Sequence, residues 1–330
     1  MTLLAKLMLA TVATVATVAT MAAGTVQAKT LAPMQDKPVN CDNCKQWNAP
    51  VQPFNLYGNS WYVGTAGLSA VLVTSPQGHI LLDGALPQSA PLIVASIKAL
   101  GFRIEDVKFI LNSHAHWDHA GGIAALQRAS GATVVASASG ALALQSGTNG
   151  KDDPQYQADP VVHVAKVAKV KVVGEGDSVQ LGPVVLSAHM TPGHTPGGTT
   201  WTWTSCEGAR CLSMVYADSL NPYASGDFTY TGKGAGKGKG KANAADTSAA
   251  FEASIAKVAA LPCDIIIPVH PGTTDLLGKA AKRSGTDHPL VDANACRAYA
   301  AQAGGLLAKR LATERGEATP VQAKGAAHAH

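Results

Sequence analysis

The chain has 330 residues, of which 46% are hydrophobic and 15% are charged. This composition can bury a sizeable core and excludes a wholly disordered chain. The formal net charge is +4 at pH 7 and the basic residues are scattered, so we expect no nucleic-acid partner.

Residues 1–28 have the pattern of a secretory signal peptide. Lys6 is their only charge, an apolar run follows it, and Val26-Gln27-Ala28 resembles a cleavage site. We therefore expect a cut after residue 28, a mature domain over 29–330 and a periplasmic location. A retained membrane anchor is the alternative. We expect no stable membrane insertion after cleavage, because no later stretch reaches the roughly 18 apolar residues that a spanning helix needs.

Export to an oxidising compartment would allow the six cysteines to form disulfides. The pairs that sequence position favours are Cys206 with Cys211, at the end of a hairpin, and Cys263 with Cys296, between a strand and the last helix. Cys41 and Cys44 form a Cys-x-x-Cys pair without the strand and helix of a thioredoxin-type redox site. They could form a local bridge or pair with other partners.

The first half of the chain predicts a run of strands with three helices, one of which starts at 123–126 after a turn at Gly121-Gly122. Residues 29–58 are rich in Pro and Asn, and we expect them to cover the surface. Apolar runs and alternation predict strands at 61–66, 68–74, 79–83, 107–111 and 133–136, and helices at 91–100 and 139–145. Residues 146–160 carry Gly, Asn, Asp and Pro, which predicts a loop.

The second half repeats this plan. It predicts strands at 169–173, 178–181, 184–190, 199–204, 212–217 and 265–268, a helix capped by Asp246 that ends at Leu261, and a helix at 289–312. The long loop from residue 218 to about residue 245 includes a Gly/Lys-rich segment at 231–241. We expect the tail from residue 318 to have no fixed structure. This order favours an α/β fold in which two sheets pack face to face with helices outside.

Potential metal ligands are concentrated in one loop after the strand predicted at 107–111. His114, His116, Asp118 and His119 place three imidazoles and a carboxylate within six residues. These ligand types suit a borderline-soft divalent ion such as zinc. In extended backbone His114 and His116 point to the same side, and the other two follow a turn. One loop can therefore supply ligands to two adjacent metals, whereas the helical His-Glu-x-x-His motif is absent.

Two further histidines follow predicted strands. His194 lies in Pro192-Gly193-His194-Thr195-Pro196, and His270 lies in Pro268-Val269-His270-Pro271. Rigid Pro and permissive Gly around one imidazole indicate a backbone held in an unusual path. With the first loop they complete six ligands, enough for two sites of three. The histidines that we expect to be structural are His79, His163, His189 and His288, and we expect His189 to make a hydrogen bond within its strand.

These motifs resemble the metallo-β-lactamase superfamily over nearly the whole mature chain. The segments 193–197 (GHTPG), 216–220 (YADSL), 261–264 (LPCD) and 296–300 (CRAYA) are similar to subclass B3 of the β-lactamases. The resemblance implies an αββα four-layer sandwich with the site at the sheet edge.

The resemblance also implies a role for each candidate residue. His114, His116 and His194 would hold a first zinc, and Asp118, His119 and His270 a second. Asp118 would also help to position the attacking group, and Ser219 would orient a water near the second zinc. Asn221 stands where the subclass often has a hydroxyl residue that contacts the substrate carboxylate, and its amide can still donate a hydrogen bond.

The function implied is hydrolysis of the β-lactam amide of penicillins, cephalosporins and carbapenems, which would give antibiotic resistance. Two zinc ions can share a hydroxide, since zinc lowers the pKa of bound water to about 7. That metal-bound hydroxide would attack the lactam carbonyl, which the first zinc polarises, and the second zinc would bind the departing nitrogen. We expect the partner to be a small-molecule β-lactam and the protein to be a monomer.

Two alternatives belong to other functional classes. A lactonase or glyoxalase-like thioesterase of the same fold would use an aspartate, here Asp218, to bridge its metals. The export signal, the paired cysteines and the absence of a C-terminal thioester-binding extension argue against it. A non-enzymatic periplasmic zinc-binding protein is also conceivable, but three ligands per zinc leave open positions, as in catalytic sites.

Overall fold

The computed structural model describes residues 36–156, 162–232 and 245–317. The predicted signal peptide, most of the Gly/Lys-rich segment 231–241 and the tail from residue 318 lie outside these residues. Among the described helices, none combines the length and the apolar character that a membrane crossing requires.

Within the described residues, the first sheet has seven strands that follow one another in space as they do in sequence. They are β1 (Phe54–Tyr57), β2 (Ser60–Tyr62), β3 (Val71–Ser75), β4 (Gly78–Leu82), β5 (Val107–Leu111), β6 (Thr133–Ala136) and β7 (Val170–Val172). The pairs from β1 to β4 are antiparallel. The pairs from β4 to β7 are parallel, so β4, β5 and β6 all end at the same edge of the sheet.

The second sheet has five strands in the part of the chain that is described, in the order β12-β11-β10-β9-β8. They are β8 (Ser178–Leu181), β9 (Val184–Met190), β10 (Thr199–Glu207), β11 (Arg210–Ala217) and β12 (Ile265–Pro268). Strands β11 and β12 are parallel and the other pairs are antiparallel.

The α-helices in the described residues are α1 (Cys44–Trp47), α2 (Ala90–Ala99), α3 (Trp117–Ala120), α4 (Ile123–Ser130), α5 (Ala138–Ser146), α6 (Ser248–Ala260), α7 (Leu276–Ala281) and α8 (Ala295–Arg315). Most of them pack on the outer faces of the two sheets, whereas α7 contributes Leu276 to the core between the sheets. Side chains of α2 and α4 pack on the first sheet, and those of α6 and α8 pack on the second.

The alternation of side chains along β4 shows how the layers form. Ile80 and Leu82 point into the core between the two sheets, where they join Trp201, whereas Leu81 joins the core under α2 and α4. Successive residues of a strand face opposite sides, so a strand buried on both faces is continuously apolar. A third core lies between the second sheet and helices α6 and α8 and contains Phe251. The predicted αββα four-layer sandwich is confirmed.

All six cysteines lie in described residues and form three disulfides. The bonds are Cys41–Cys44, Cys206–Cys211 and Cys263–Cys296. The last two are the predicted pairs, and the first is the local bridge that the sequence left open.

The structure differs from the sequence predictions mainly at the N-terminal segment and near the C-terminus. Residues 54–57 do not cover the surface but form edge strand β1, because Leu56 and Tyr57 are buried between the sheets. The last helix begins at Ala295 rather than at residue 289. The helix predicted from Asp246 begins at Ser248, whose backbone N–H donates to Asp246 Oδ1 over 2.9 Å.

Candidate metal centre

A buried carboxylate fixes the start of the loop that carries His114. Asp83 has φ +58° and accepts hydrogen bonds from the Ser113 backbone N–H at 2.8 Å and the Ser113 hydroxyl at 2.6 Å. It also accepts from Asn112 Nδ2 at 3.1 Å and from the Tyr216 hydroxyl at 2.9 Å. Burial still raises the pKa of Asp83. A buried carboxylate needs such donors, so this network holds the residues that follow β5 in one conformation.

Three predicted ligands converge beyond that loop. The ligand atoms of His114, His116 and His194 all lie within 4.8 Å of one another, and the three residues are buried. His194 follows Gly193, which has φ +155°, and a Cβ there would lie 2.2 Å from the Phe251 ring. Only glycine therefore fits before His194, which explains the Pro-Gly-His pattern.

One nitrogen of each of these imidazoles is held by an oxygen acceptor. Asp218 Oδ1 lies 2.7 Å from His114 Nδ1, and Asp153 Oδ1 lies 3.0 Å from His116 Nε2. The third contact is made by the Asn221 carbonyl, which accepts from Nδ1 of His194 at 2.8 Å. Acceptors of this kind fix the tautomer and the ring orientation of a metal-binding histidine. They leave Nε2 of His114, Nδ1 of His116 and Nε2 of His194 for a metal.

The other three predicted ligands form a second, adjacent group. Asp118 Oδ2 lies 3.1 Å from His119 Nε2 and 3.4 Å from His270 Nε2, and these two nitrogens are 3.2 Å apart. Nδ1 of His270 donates to the Gly67 carbonyl at 3.1 Å. The rings of His114 and His119 are 4.4 Å apart, so the two groups are contiguous.

The electrostatics keep most of these groups in the protonation state that a metal ligand needs. Burial lowers the pKa of His114 well below its ordinary value and that of His194 to about 3. Burial alone would raise the pKa of Asp118, but His119 and His270 hold it well below its usual range. Asp118 is therefore ionised and His114 and His194 are neutral, the states in which these groups bind zinc.

His116 behaves differently from the other first-group histidines. Burial would lower its pKa, but the charge and the hydrogen bond of Asp153 outweigh burial and raise it. Since Asp153 accepts at Nε2, this stabilises a proton on that nitrogen and directs the lone pair of Nδ1 toward His194.

The donor set fits a divalent metal ion. Nε2 of His114 is buried without a hydrogen-bond partner, which is costly unless a ligand satisfies it. The side-chain amide of Gln155 lies 3.4 Å from His116 Nδ1 and 3.3 Å from His194 Nε2. Because one amide nitrogen reaches both ring nitrogens, these two nitrogens face the same space, which a cation could occupy in its place.

Ser219 and Asn221 lie in the wall of a cavity beside these ligand groups. This cavity has a volume of about 810 Å³ and is also lined by Trp117, Gln155 and Tyr223. Ser219 is buried just after β11, and its hydroxyl accepts from the Asn221 backbone N–H at 3.4 Å. Six of the eight predicted metal and substrate residues line this cavity, and the other two, His114 and His119, are buried behind it against the rings of His116 and His270.

Sequence analysis missed Asp153 and Gln155, which belong to the stretch predicted only as a loop. The run Asp152-Asp153-Pro154-Gln155 contains acidic residues next to a Pro, and that was the available signal. His189 was expected to make a hydrogen bond within its strand; it lies in β9, and its Nε2 lies 2.9 Å from Thr202 Oγ1 on the neighbouring strand β10.

Comparison with known proteins defines the class first. A family model described as "Metallo-beta-lactamase superfamily" matches residues 64–207. The Rm3 metallo-beta-lactamase structure is 50% identical with a TM-score of 0.77, and the alignment covers 84% of this chain and 100% of that one. The chain therefore belongs to the metallo-β-lactamase superfamily.

Two further solved structures to which the chain is similar belong to subclass B3. MEM-A1, a subclass B3 metallo-beta-lactamase from a soil metagenome library, is 48% identical with a TM-score of 0.76, and the match covers 82% of this chain and 100% of that one. BJP-1, a subclass B3 metallo-beta-lactamase of Bradyrhizobium japonicum, is 32% identical with a TM-score of 0.72, covering 83% and 98%. The predicted resemblance to this subclass is confirmed.

A curated relative has another activity. The hydroxyacylglutathione hydrolase of Anaeromyxobacter dehalogenans (strain 2CP-C) is 34% identical over 123 residues. The match spans 37% of this chain and 37% of that protein. It covers only part of each chain, whereas the β-lactamase matches cover nearly whole domains. The histidine cluster and the family together imply a metal-dependent hydrolase.

Proposed function

We propose that this protein binds two zinc ions and hydrolyses the amide bond of penicillins, cephalosporins and carbapenems. The observation that carries the proposal is the pair of adjacent ligand groups beside one cavity, each with three candidate ligands, of which two line the cavity. Three ligands leave an open position at each metal, as catalytic zinc sites do. Bound zinc would supply a Lewis acid and an activated water at neutral pH.

The side chains around the centre have separate tasks in this proposal. Asp118 lies 3.1 Å from His119 Nε2 and supplies the negative charge of the second group. Ser219 orients a water beside that group, and the Asn221 amide donates to the substrate carboxylate. The 810 Å³ cavity, with Trp47 and Trp117 in its wall, holds the remainder of the substrate and limits access of bulk water.

Asp218 separates this proposal from the thioesterase alternative. A carboxylate that bridges two metals must direct an oxygen at both ligand groups, but Asp218 Oδ2 faces Gly198, on which a Cβ would lie 2.3 Å from it. Its Oδ1 lies 2.7 Å from His114 Nδ1, the nitrogen on the far side of the ring from the ligand atom. Asp218 therefore orients His114 from behind, which favours the β-lactamase over a lactonase or glyoxalase-like enzyme. The partial match to a hydroxyacylglutathione hydrolase makes thioester hydrolysis the second candidate.

Hydrolysis assays on the purified protein distinguish these functions. We expect turnover of a carbapenem and of a chromogenic cephalosporin, loss of turnover after a chelator, and recovery when zinc is restored. A hydroxyacylglutathione thioester and a lactone serve as comparison substrates. Turnover of these without any lactam hydrolysis would replace the proposal by the second candidate, and zinc binding without hydrolysis of any substrate would favour a non-enzymatic protein.

We further propose export to the periplasm, where the enzyme would protect the cell from β-lactams. The pattern of residues 1–28 supports this proposal. Bacteria that express the full chain should carry the activity in the periplasmic fraction and tolerate more antibiotic than cells that express residues 29–330 alone. Equal tolerance, or activity confined to the cytoplasm, would contradict it.

A further inference from the structure

The turn formed by residues 218–221 contacts two of the three histidines in the first ligand group. Asp218 Oδ1 lies 2.7 Å from His114 Nδ1, and the Asn221 carbonyl accepts from His194 Nδ1 at 2.8 Å. The turn follows β11 and has no regular secondary structure of its own. Its position therefore sets the orientation of both rings, although its backbone has no ladder to hold it.

One phenol bonds the backbone of this turn on both sides of Ser219. The Tyr299 hydroxyl donates to the Asp218 carbonyl at 2.7 Å and accepts from the Leu220 N–H at 3.3 Å. Tyr299 is buried on α8, and its ring packs in the core between α8 and the second sheet. The hydroxyl thus connects the interior of that core to the peptide groups next to Ser219.

Helix α8 provides a fixed base for this contact. Cys296 lies three residues before Tyr299, on the same face of the helix. Its disulfide to Cys263 joins α8 to the segment just before β12, and further residues of this face, among them Leu307, lie in the same core. A tyrosine whose ring is fixed in this way can restrain a turn that lies outside the sheet.

We infer that Tyr299 is a positioning residue of the metal centre, which acts through the turn 218–221 on His114 and His194. Removing its hydroxyl frees the turn and leaves the Leu220 N–H without its acceptor. Both imidazoles then sample more orientations, and metal binding has to order them again. The inference concerns metal binding and rests on the metal centre rather than on the substrate. Its failure can therefore be told apart from a failure of the proposed lactam hydrolysis.

The test compares two Tyr→Phe variants that lose the same chemical group. Tyr299→Phe keeps the ring in the core, and Tyr57→Phe is the matched control because the buried Tyr57 hydroxyl donates to the Arg210 carbonyl at 3.2 Å. That contact lies at the start of β11, whereas the turn 218–221 follows the end of β11. Metal-free protein is titrated with zinc against a chromophoric chelator, and the visible spectrum of the cobalt-loaded protein is recorded.

We expect Tyr299→Phe to weaken zinc binding about tenfold and to alter the cobalt spectrum, at the low end of the range for residues that orient metal ligands. Tyr57→Phe should leave both unchanged. A zinc affinity of Tyr299→Phe within twofold of wild type with an unchanged spectrum would overturn the inference, and so would an equal loss in Tyr57→Phe.

Thr200→Val tests the same turn if Tyr299→Phe fails to fold. The Thr200 hydroxyl accepts from the Asp218 N–H at 3.2 Å, and Val has nearly the same shape. We expect weaker zinc binding in this variant as well, and wild-type affinity in it would then decide against the inference.

Discussion

Replacing Asp153 by Asn should weaken metal binding without changing the fold. The two carboxylate oxygens of Asp153 lie 3.0 and 3.2 Å from His116 Nε2, and Oδ1 also accepts from the Gln155 backbone N–H at 2.7 Å. An Asn side chain has the same shape and can keep one of these contacts. Asn lacks the negative charge with which Asp153 holds the proton on Nε2 of His116. That proton leaves the lone pair of His116 on Nδ1, where it can bind the metal.

The expected magnitude follows from the loss of one buried charge-assisted hydrogen bond, about 1.5–3 kcal/mol. This corresponds to about a 10- to 100-fold lower affinity for the first metal, as found for residues that orient metal-bound histidines. Competition with a chromophoric chelator measures the affinity, and circular dichroism checks the fold. Asp152→Asn is the matched control. Asp152 is the exposed neighbour of Asp153, and this substitution removes the same charge from the same loop.

A twofold or smaller change in Asp153→Asn would refute the reasoning, since His116 would then be oriented without its acceptor. An equal loss in both variants would also refute it, because the effect would come from the overall charge of the loop.

Three further predictions concern catalysis, stability and pH. Asp118→Ala should lower kcat/KM at least ~100-fold with little change in the melting temperature, because the side chain lines the cavity and is a proposed ligand of the second metal; full activity would reject this role. Replacing Cys263 and Cys296 together by Ser should lower the free energy of unfolding by about 3–4 kcal/mol in denaturant titrations, since the bond closes a loop with a sequence separation of 33; an unchanged midpoint would contradict this. The metal-free protein should lose stability as the pH falls below about 6.5, the pKa of an unfolded histidine, because His194 has a pKa of about 3 when folded, and the unfolded chain binds more protons between these values. The raised pKa of His116 acts in the opposite direction, but the lowered values of His114 and His270 add to the effect; stability that rises toward pH 4 would contradict the sign.

The parts of the fold that could be predicted are those with a clear apolar period. The bounds of β5, β6, β8, β9 and β12 agree with the sequence prediction, because continuous apolar runs or alternation define them. Strand β1 was missed since Pro53 and Asn55 obscure its alternation. Helices α3 and α7 were missed because helices of four and six residues carry too little periodicity to detect.

The residues of the candidate site also include some that the sequence could predict and some that it could not. The ligands on the loop after β5 are close in sequence, so their spacing alone indicates a metal site. Asp153 contacts a histidine 37 residues away, and the Tyr299 hydroxyl bonds a carbonyl 81 residues away. Such contacts depend on how the layers pack, so the local sequence around Asp153 and Tyr299 does not indicate which distant residue each side chain meets.

Crystals of the zinc-loaded protein, measured at the zinc absorption edge, test the central claim most directly. We predict two anomalous peaks about 3.5–4 Å apart. One should be bound by His114, His116 and His194, and the other by Asp118, His119 and His270. A single peak at full zinc loading, or a second peak away from either group, would contradict a dinuclear centre.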